Sequence, residues 1–389
     1  MNTVILNYAA RGIRVEPDRL LEIEVDVYTR VHDIADPQIE HLGHNARVIH
    51  IPAGPAEASK QQVPDHLGTF QDGLMEFQQT HGLTYDLIHS HYWLSGRVGM
   101  VLSREWGVPH VATFHTLART KLRARAGENE TELRLAVEKR VMDSADAVVV
   151  STALEKEDLV QLYQARPHNV HVIPAGVDLE MFRPMDQTRA RQALGLSETR
   201  VILYVGRLEP LKGVDLLINA VPLLGDLGDT RLMVVGGQPG KDKELRRLKV
   251  LTSRLGIQKR VTFTGAVKQA ELPNYYNAAD VFVLPSYYES FGLVALEAMA
   301  CGTPVVVSRV GGLKTFVRDG ETGYLIPWRT PEPFAQRMDV LLANPALRKT
   351  MGKAARAKAQ EMSWSVVADR MSDYYSCLMG EMLESVAGA

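Results

Sequence analysis

Short, almost purely apolar runs rich in Val, Ile and Leu recur along this chain, each followed by a polar loop and a segment of helical period. Ala147–Ser151 (AVVVS), Val201–Val205 (VILYV), Val281–Leu284 (VFVL) and Pro304–Val307 (PVVV) are too short for helices and lack the alternation of a strand with one wet face. Strands of that kind are covered on both sides, and a parallel sheet with helices on each face covers them. In the first half the rhythm predicts strands at Val25–Thr29, Val48–Ile51, Leu87–His89, His110–Thr113, Ala147–Ser151 and Val170–Ile173. In the second half it predicts Val201–Val205, Arg231–Val235, Val261–Thr264, Val281–Leu284 and Pro304–Val307. Helices fill the gaps, for example Thr131–Ser144, with Leu133, Val137 and Val141 as its buried stripe, and Val214–Leu224. The series breaks at Pro174-Ala175-Gly176-Val177-Asp178 and restarts at Val201. With 389 residues, two domains with separate cores are expected. The expected fold is therefore α/β: two doubly wound Rossmann-like domains, 1–175 and 176–365, with the carboxyl ends of both sheets facing one cleft. Residues 366–389 read as a C-terminal helix packing near the linker.

The segment Tyr287–Pro304 narrows the chemistry. Glu289 and Glu297 lie eight residues apart around Phe291-Gly292-Leu293, between an apolar run that stops at Pro285 and a helical run that stops at Gly302. This is strand, tight turn, helix, with Gly292 near the helix N-terminus, where unpaired N–H groups and the positive dipole end suit a phosphate. Carboxylates on both sides of an anion site are costly unless both serve neutral hydroxyls. The economical ligand is a diphosphate between two polyols, which describes a nucleotide sugar. The plain alternative is an ordinary α/β turn with surface glutamates.

Charge and composition exclude other classes. Net charge is −2, with basic residues matched by acidic ones, so no nucleic-acid surface is expected. No apolar run reaches membrane-spanning length, and the start of the sequence lacks the layout of a signal peptide. Cys301 and Cys377 suit a reducing compartment and form no metal-ligand pattern. A cytoplasmic protein without stable membrane insertion is expected, and a homodimer is compatible with the sequence.

These residues resemble glycosyltransferase family 4, the retaining sugar-nucleotide transferases of GT-B fold, over roughly Val25 to Trp364. The family's E-x7-E signature matches at Glu289 and Glu297. GRLEPLKG (Gly206–Gly213) matches its diphosphate-binding pair at Arg207 and Lys212, and TFHT (Thr113–Thr116) matches its strand-end histidine motif. Within the family, HSHYWLSG (His89–Gly96), PAGVDLEMF and SYYESFGLVALEAMACGTPVV are similar to the inositol-phosphate glycosyltransferases of mycothiol biosynthesis and to sucrose-phosphate synthase-like enzymes. The resemblance implies that Arg207 and Lys212 meet the donor diphosphate, where cations are needed because transfer leaves a growing negative charge. It implies that Glu297 grips ribose hydroxyls, Glu289 contacts the transferred sugar, and the Phe291, Gly292 and Leu293 amides meet sugar and diphosphate. Gly237 and Val267 join the donor site, and His115 meets the sugar near the reacting carbon. Catalytic roles thus fall to His115, Glu289, Arg207 and Lys212, and acceptor-phosphate binding to Lys60, Tyr92, Thr116 and Arg134.

Plain alternatives remain for several of these: a solvated surface for Arg207, Lys212 and Arg134, a simple turn for Gly237, a structural role for His115. His89 and His91 crowd a strand end without a third metal ligand at convincing spacing. No cofactor is required beyond the UDP-sugar donor; magnesium is compatible, but no Asp-x-Asp pair beside a strand end demands it.

One departure stands out. Relatives begin with a strand, a Gly-rich loop and a helix, whereas here Met1-Asn2 resembles the end of that loop. The first strand and Gly-rich loop are therefore expected to be missing or rebuilt, with Thr3–Tyr8 (TVILNY) the segment able to replace the strand. The implied function is retaining transfer from UDP-GlcNAc or UDP-glucose to a small phosphorylated polyol such as inositol phosphate. The alternatives are transfer to a sugar phosphate, or a nucleotide-sugar-binding protein with little turnover.

Overall fold

The computed structural model describes residues 2–6, 23–33, 35–59, 61–124, 129–196, 199–225, 229–238 and 242–387. The chain divides into two units: Met1–Pro174 with Ser365–Ala389, and Ala175–Trp364.

In the first unit the strands are β1 (Asn2–Leu6), β2 (Glu24–Arg30), β3 (Ile39–His41), β4 (Ala46–Ile51), β5 (Leu87–His91), β6 (His110–Thr113), β7 (Ala147–Val150) and β8 (Val170–Val172). They form one sheet in the order β3-β4-β2-β1-β5-β6-β7-β8, parallel except for the β3–β4 edge. β1 lies in its middle: Ile5 is in register with Val27 of β2 on one side and His89 of β5 on the other. Of the two expectations for the first strand, missing or rebuilt from Thr3–Tyr8, the second holds, with the strand running over Asn2–Leu6, because an apolar segment of this length can supply the central hydrogen-bonding partner that β2 and β5 need. The expectations for the Gly-rich loop and the helix after it fall on residues 7–22, outside the described residues.

Both faces of this sheet are buried, and the two-residue period of a strand sorts its residues. Ile49, Ile88, Ala112, Val148 and Val150 pack with Leu74, Val98, Val141 and Leu159 of the helices Leu67–Thr80, Tyr92–Trp106, Glu132–Ser144 and Ala153–Tyr163. Val25, Val27, Val48, Leu87, Val111 and Val149 face the other way, with Tyr375 and Leu378 of the C-terminal helix Trp364–Ala387. Helix Glu132–Ser144 corrects one expected stripe. It buries Arg134, Val137, Glu138, Val141 and Met142, while Leu133 is 45% exposed. A buried Arg–Glu pair four residues apart occupies the inner face, so the face begins one residue later than apolarity alone suggests.

The second unit holds β9 (Arg200–Val205), β10 (Thr230–Val235), β11 (Val261–Gly265), β12 (Val281–Leu284), β13 (Val305–Ser308) and β14 (Gly323–Ile326). All are parallel, in the order β11-β10-β9-β12-β13-β14. The strand order reverses between β9 and β12, and loops at such a switch point splay apart to leave a ligand crevice. The helix expected over Val214–Leu224 ends at Ala220 and tightens into a 3-10 turn, Val221–Leu223, because Pro222 has no N–H to continue the ladder. Where the chain enters and leaves this unit its two stretches lie side by side: Val177 N donates to Met362 O (2.9 Å), and Trp364 N donates to Val177 O (3.2 Å). Among the described residues no helix is long and apolar enough to cross a membrane.

Candidate functional site

The loops after β9 and β12 are stitched together at the switch point. Tyr287 N donates to Leu211 O (2.8 Å), and Tyr204, fully buried in β9, donates its hydroxyl to Arg207 O (2.9 Å). Burial, with Glu289 and Glu209 nearby, pushes the Tyr204 phenol well above its ordinary range, so it remains a donor. This frame brings Lys212 Nζ to 2.6 Å from Glu289 Oε1, which also accepts from Ser286 Oγ at 2.9 Å. Glu289 is 7% exposed, whereas the Arg207 side chain is 73% exposed and pairs with Glu209 at 2.8 Å. The two cations therefore differ in kind: Lys212 is a largely buried point charge held by Glu289, and Arg207 is an exposed fork.

The helix Leu293–Ala300 starts at Gly292 with no side-chain cap, and Gly292 has φ +100°, a left-handed backbone that favours glycine. Behind the turn, Gly312 N donates to Ser290 O (3.1 Å), and a Cβ on Gly311 would stand 1.6 Å from Glu289 O. Only a glycine lets that segment close on the Glu289 backbone. Glu297, in the second turn of the helix, accepts from Tyr276 Oη at 2.7 Å; Tyr276 is fully buried, and burial together with Glu297 holds its phenol protonated. Gly237 follows β10 and bonds through its carbonyl to Ala266 N (2.9 Å), which places Val267 next in the adjoining loop. The structure thus brings Lys212 and Glu289 together, with Phe291, Gly292 and Leu293 on the following turn.

In the first unit, His89 and His91 share one face of β5 at a spacing of two. His89 is buried, its Nδ1 2.5 Å from Tyr375 Oη and its Nε2 2.8 Å from Thr113 Oγ1. His91 Nδ1 lies 2.8 Å from His115 Nε2, and the two rings stack at 5.0 Å. Burial pushes His89 down to about 3 and His110, which meets Ser90 on the opposite face of the sheet, down to about 4. His115 lies past the end of β6 with φ +60°, and Tyr92, next to His91, has φ +76°. Left-handed backbone at two non-glycine residues is stored strain of about 1–3 kcal/mol each.

Arg134, expected as a surface cation or a phosphate ligand, is 2% exposed. It donates to Glu138 Oε1 (2.7 Å), Glu130 Oε1 (2.9 Å) and Thr116 O (2.9 Å), with its guanidinium 5.1 Å from the Tyr92 ring centroid. Lys121 also pairs with Glu130, at 2.7 Å. Tyr92, Thr116 and Arg134 are thus brought together, while Lys60 lies outside the described residues. Among the described residues no three His, Cys, Asp or Glu side chains are grouped to hold a metal ion.

Sequence reasoning missed Ser286, Tyr276, Tyr204, Tyr375, Glu130 and Glu138. The two glutamates flank Arg134, one four residues before it and one four residues after, which an i, i+4 scan finds. Tyr276 and Tyr375 act across long sequence separations and give no local signal.

The family description "Glycosyl transferases group 1" matches residues 186–358, and "Glycosyl transferase 4-like domain" matches residues 9–176. The chain is 40% identical over 364 residues to a D-inositol 3-phosphate glycosyltransferase of Corynebacterium glutamicum (strain R), covering 91% of this chain and 87% of that one. Among solved structures, a sucrose-phosphate synthase from Thermosynechococcus elongatus superposes with TM-score 0.89 at 33% identity, covering 98% of this chain and 99% of the other. Anabaena Alr3699/HepE in complex with UDP-glucose superposes with TM-score 0.75 at 21% identity, over 97% and 100% of the chains, a likeness of fold alone.

Proposed function

We propose, because this chain belongs to family 4 of the GT-B glycosyltransferases, that it moves a hexose from a UDP-sugar to a small phosphorylated polyol such as inositol phosphate, with retention. The observation that carries the donor half is the Lys212–Glu289 bond at the switch point (2.6 Å). A fixed cation beside a carboxylate supplies an anion subsite touching a hydroxyl subsite, which a sugar diphosphate requires. Arg207 and Lys212 take the diphosphate, the Phe291–Leu293 turn amides meet its oxygens, Glu297 takes the ribose, and Gly237 and Val267 border the nucleotide. Glu289 takes sugar hydroxyls, and His115 lies near the anomeric carbon. The anomeric carbon–oxygen bond to the diphosphate breaks as the acceptor oxygen bonds to the same face. The acceptor's proton passes to the leaving phosphate oxygen, so the protein works by positioning and charge stabilisation.

For the acceptor, Tyr92, Thr116, Arg134 and Lys60 remain our choice. The Arg134 charge is matched by Glu138 and Glu130, so phosphate binding leans on Lys60 and the hydroxyls. The inositol-phosphate relative supports the polyol reading; the likeness to sucrose-phosphate synthase supports a sugar phosphate as the second. The free, buried thiol of Cys301 supports a reducing, cytoplasmic setting. A panel of UDP-, GDP- and ADP-sugars, screened by thermal shift and then offered inositol phosphate or fructose phosphate with product analysis, tests the proposal. Stabilisation by UDP-sugars and a glycosylated inositol phosphate are expected; exclusive transfer to the sugar phosphate selects the second reading, and no product with either overturns both. Glu297→Ala should weaken UDP itself and Glu289→Gln only the intact sugar nucleotide; equal UDP losses would contradict the division of roles.

A further inference from the structure

A column of rings leads from the C-terminal helix to His115. Tyr375 meets His89 edge-on, with centroids 5.8 Å apart; His89 lies 4.4 Å from His91, and His91 stacks on His115 at 5.0 Å. Hydrogen bonds lock both ends, with Tyr375 Oη on His89 Nδ1 and His91 Nδ1 on His115 Nε2. We infer that Tyr375 and His89 are positioning residues for the transfer, fixing the tautomer of His89 and, through the packed rings, the placement of the His91–His115 pair. The inference rests on the reading that His115 meets the donor sugar.

The chemistry runs as follows. A neutral imidazole has one donor and one acceptor nitrogen. A phenol is a better donor and a poorer acceptor than an aliphatic hydroxyl, so Tyr375 donates to His89 Nδ1, and His89 Nε2–H donates to Thr113 Oγ1. Burial keeps His89 neutral, so this arrangement persists across the working pH range. Thr113, at the end of β6, lies two residues before His115, so the same bond pins the base of the turn that carries His115 in its left-handed conformation. A ring free to rotate at His89 would release its contact with His91. The hydrogen bond to His115 then has no fixed partner.

The test uses the full chain with 15N-labelled histidine, in Tyr375→Phe and, as a second route to the same bond network, Thr113→Val. Ring-nitrogen correlation spectra at pH 7.5 report tautomer and hydrogen bonding directly, without turnover. Expected are a changed tautomer signature for His89, displaced ring signals for His91 and His115, and a kcat about tenfold lower with donor KM within twofold, the pattern of lost alignment. Unchanged His91 and His115 signals in both variants overturn the inference, as does unchanged kcat with displaced signals. His115→Ala separates the two layers: wild-type kcat there removes the reading of His115, while the ring spectra of Tyr375→Phe still decide whether Tyr375 positions the pair.

Discussion

Lys212 and Glu289 each depend on the other, since removing one partner of a largely buried pair leaves a charge without compensation. Lys212→Ala is expected to weaken UDP binding by about 1.5–3 kcal/mol, the scale of a charged hydrogen bond, and also to lower the melting temperature. Arg207→Ala should weaken UDP comparably and leave the melting temperature unchanged, because its ion pair with Glu209 is exposed. Calorimetry with UDP and a melt of each variant separate the two; a stable Lys212→Ala protein would contradict the structural half of its role. The buried histidines set a pH limit. His89 and His110 have folded pKa values of about 3 and 4, below the ordinary 6.5, so between these values the unfolded chain binds more protons than the native one. Their contribution is therefore complete above pH 6.5 and lost as pH falls through 4 for His110 and 3 for His89, roughly 2 kcal/mol from each by pH 5. Urea melts at pH 7.5 and 5 check this, and Tyr375→Phe at both pH values tests whether His89 reports through its partner.

Sequence legibility differs sharply between elements. The buried parallel strands declared themselves, because a run such as Val281–Leu284, fully apolar and ended by Pro285, has no other reasonable fate. β3 and β14 did not. Ile39–His41 is a three-residue antiparallel edge with two exposed members, and Gly323–Ile326 is short and opens on glycine, so neither carries a periodic signal. The strand, turn and helix around Gly292 were legible from the apolar run that stops at Pro285 and the helical run that stops at Gly302. The pairing of Glu289 with Lys212 was not, since 77 residues separate them and only the β9–β12 neighbourhood joins them. Two predictions belong to this scale. Gly311→Ala should displace the Glu289 segment, because a Cβ there meets the Glu289 carbonyl at 1.6 Å. Loss of sugar-nucleotide binding is expected by calorimetry, and wild-type affinity would show the turn to be adaptable. Amides of Ile5 and Leu6 should exchange slowly with solvent, as β1 is hydrogen-bonded along both edges; fast exchange would mean that the central strand does not form.

The second unit is one continuous stretch of chain, whereas the first is assembled from two. A fragment of residues 175–364 is expected to fold cooperatively and bind UDP, because its strands and the core around Leu203, Phe282 and Val306 lie within that stretch. A fragment of residues 1–174 should aggregate or bind a hydrophobic dye, since the sheet face of Val27, Leu87, Val111 and Val149 loses its cover of Tyr375 and Leu378. Size-exclusion chromatography and dye fluorescence check both; a monomeric, dye-silent first fragment would show that the helix is dispensable. The insertion also orders events on the ribosome. The helix that closes the first sheet is made only after residues 175–364, which at about 5–20 residues per second is roughly 10–40 s of synthesis. Through that interval the older half of the molecule waits with an open apolar flank while the younger half can already be finished. A nascent chain built this way invites chaperone attention at its earliest-made domain, and slowing translation would lengthen the exposure.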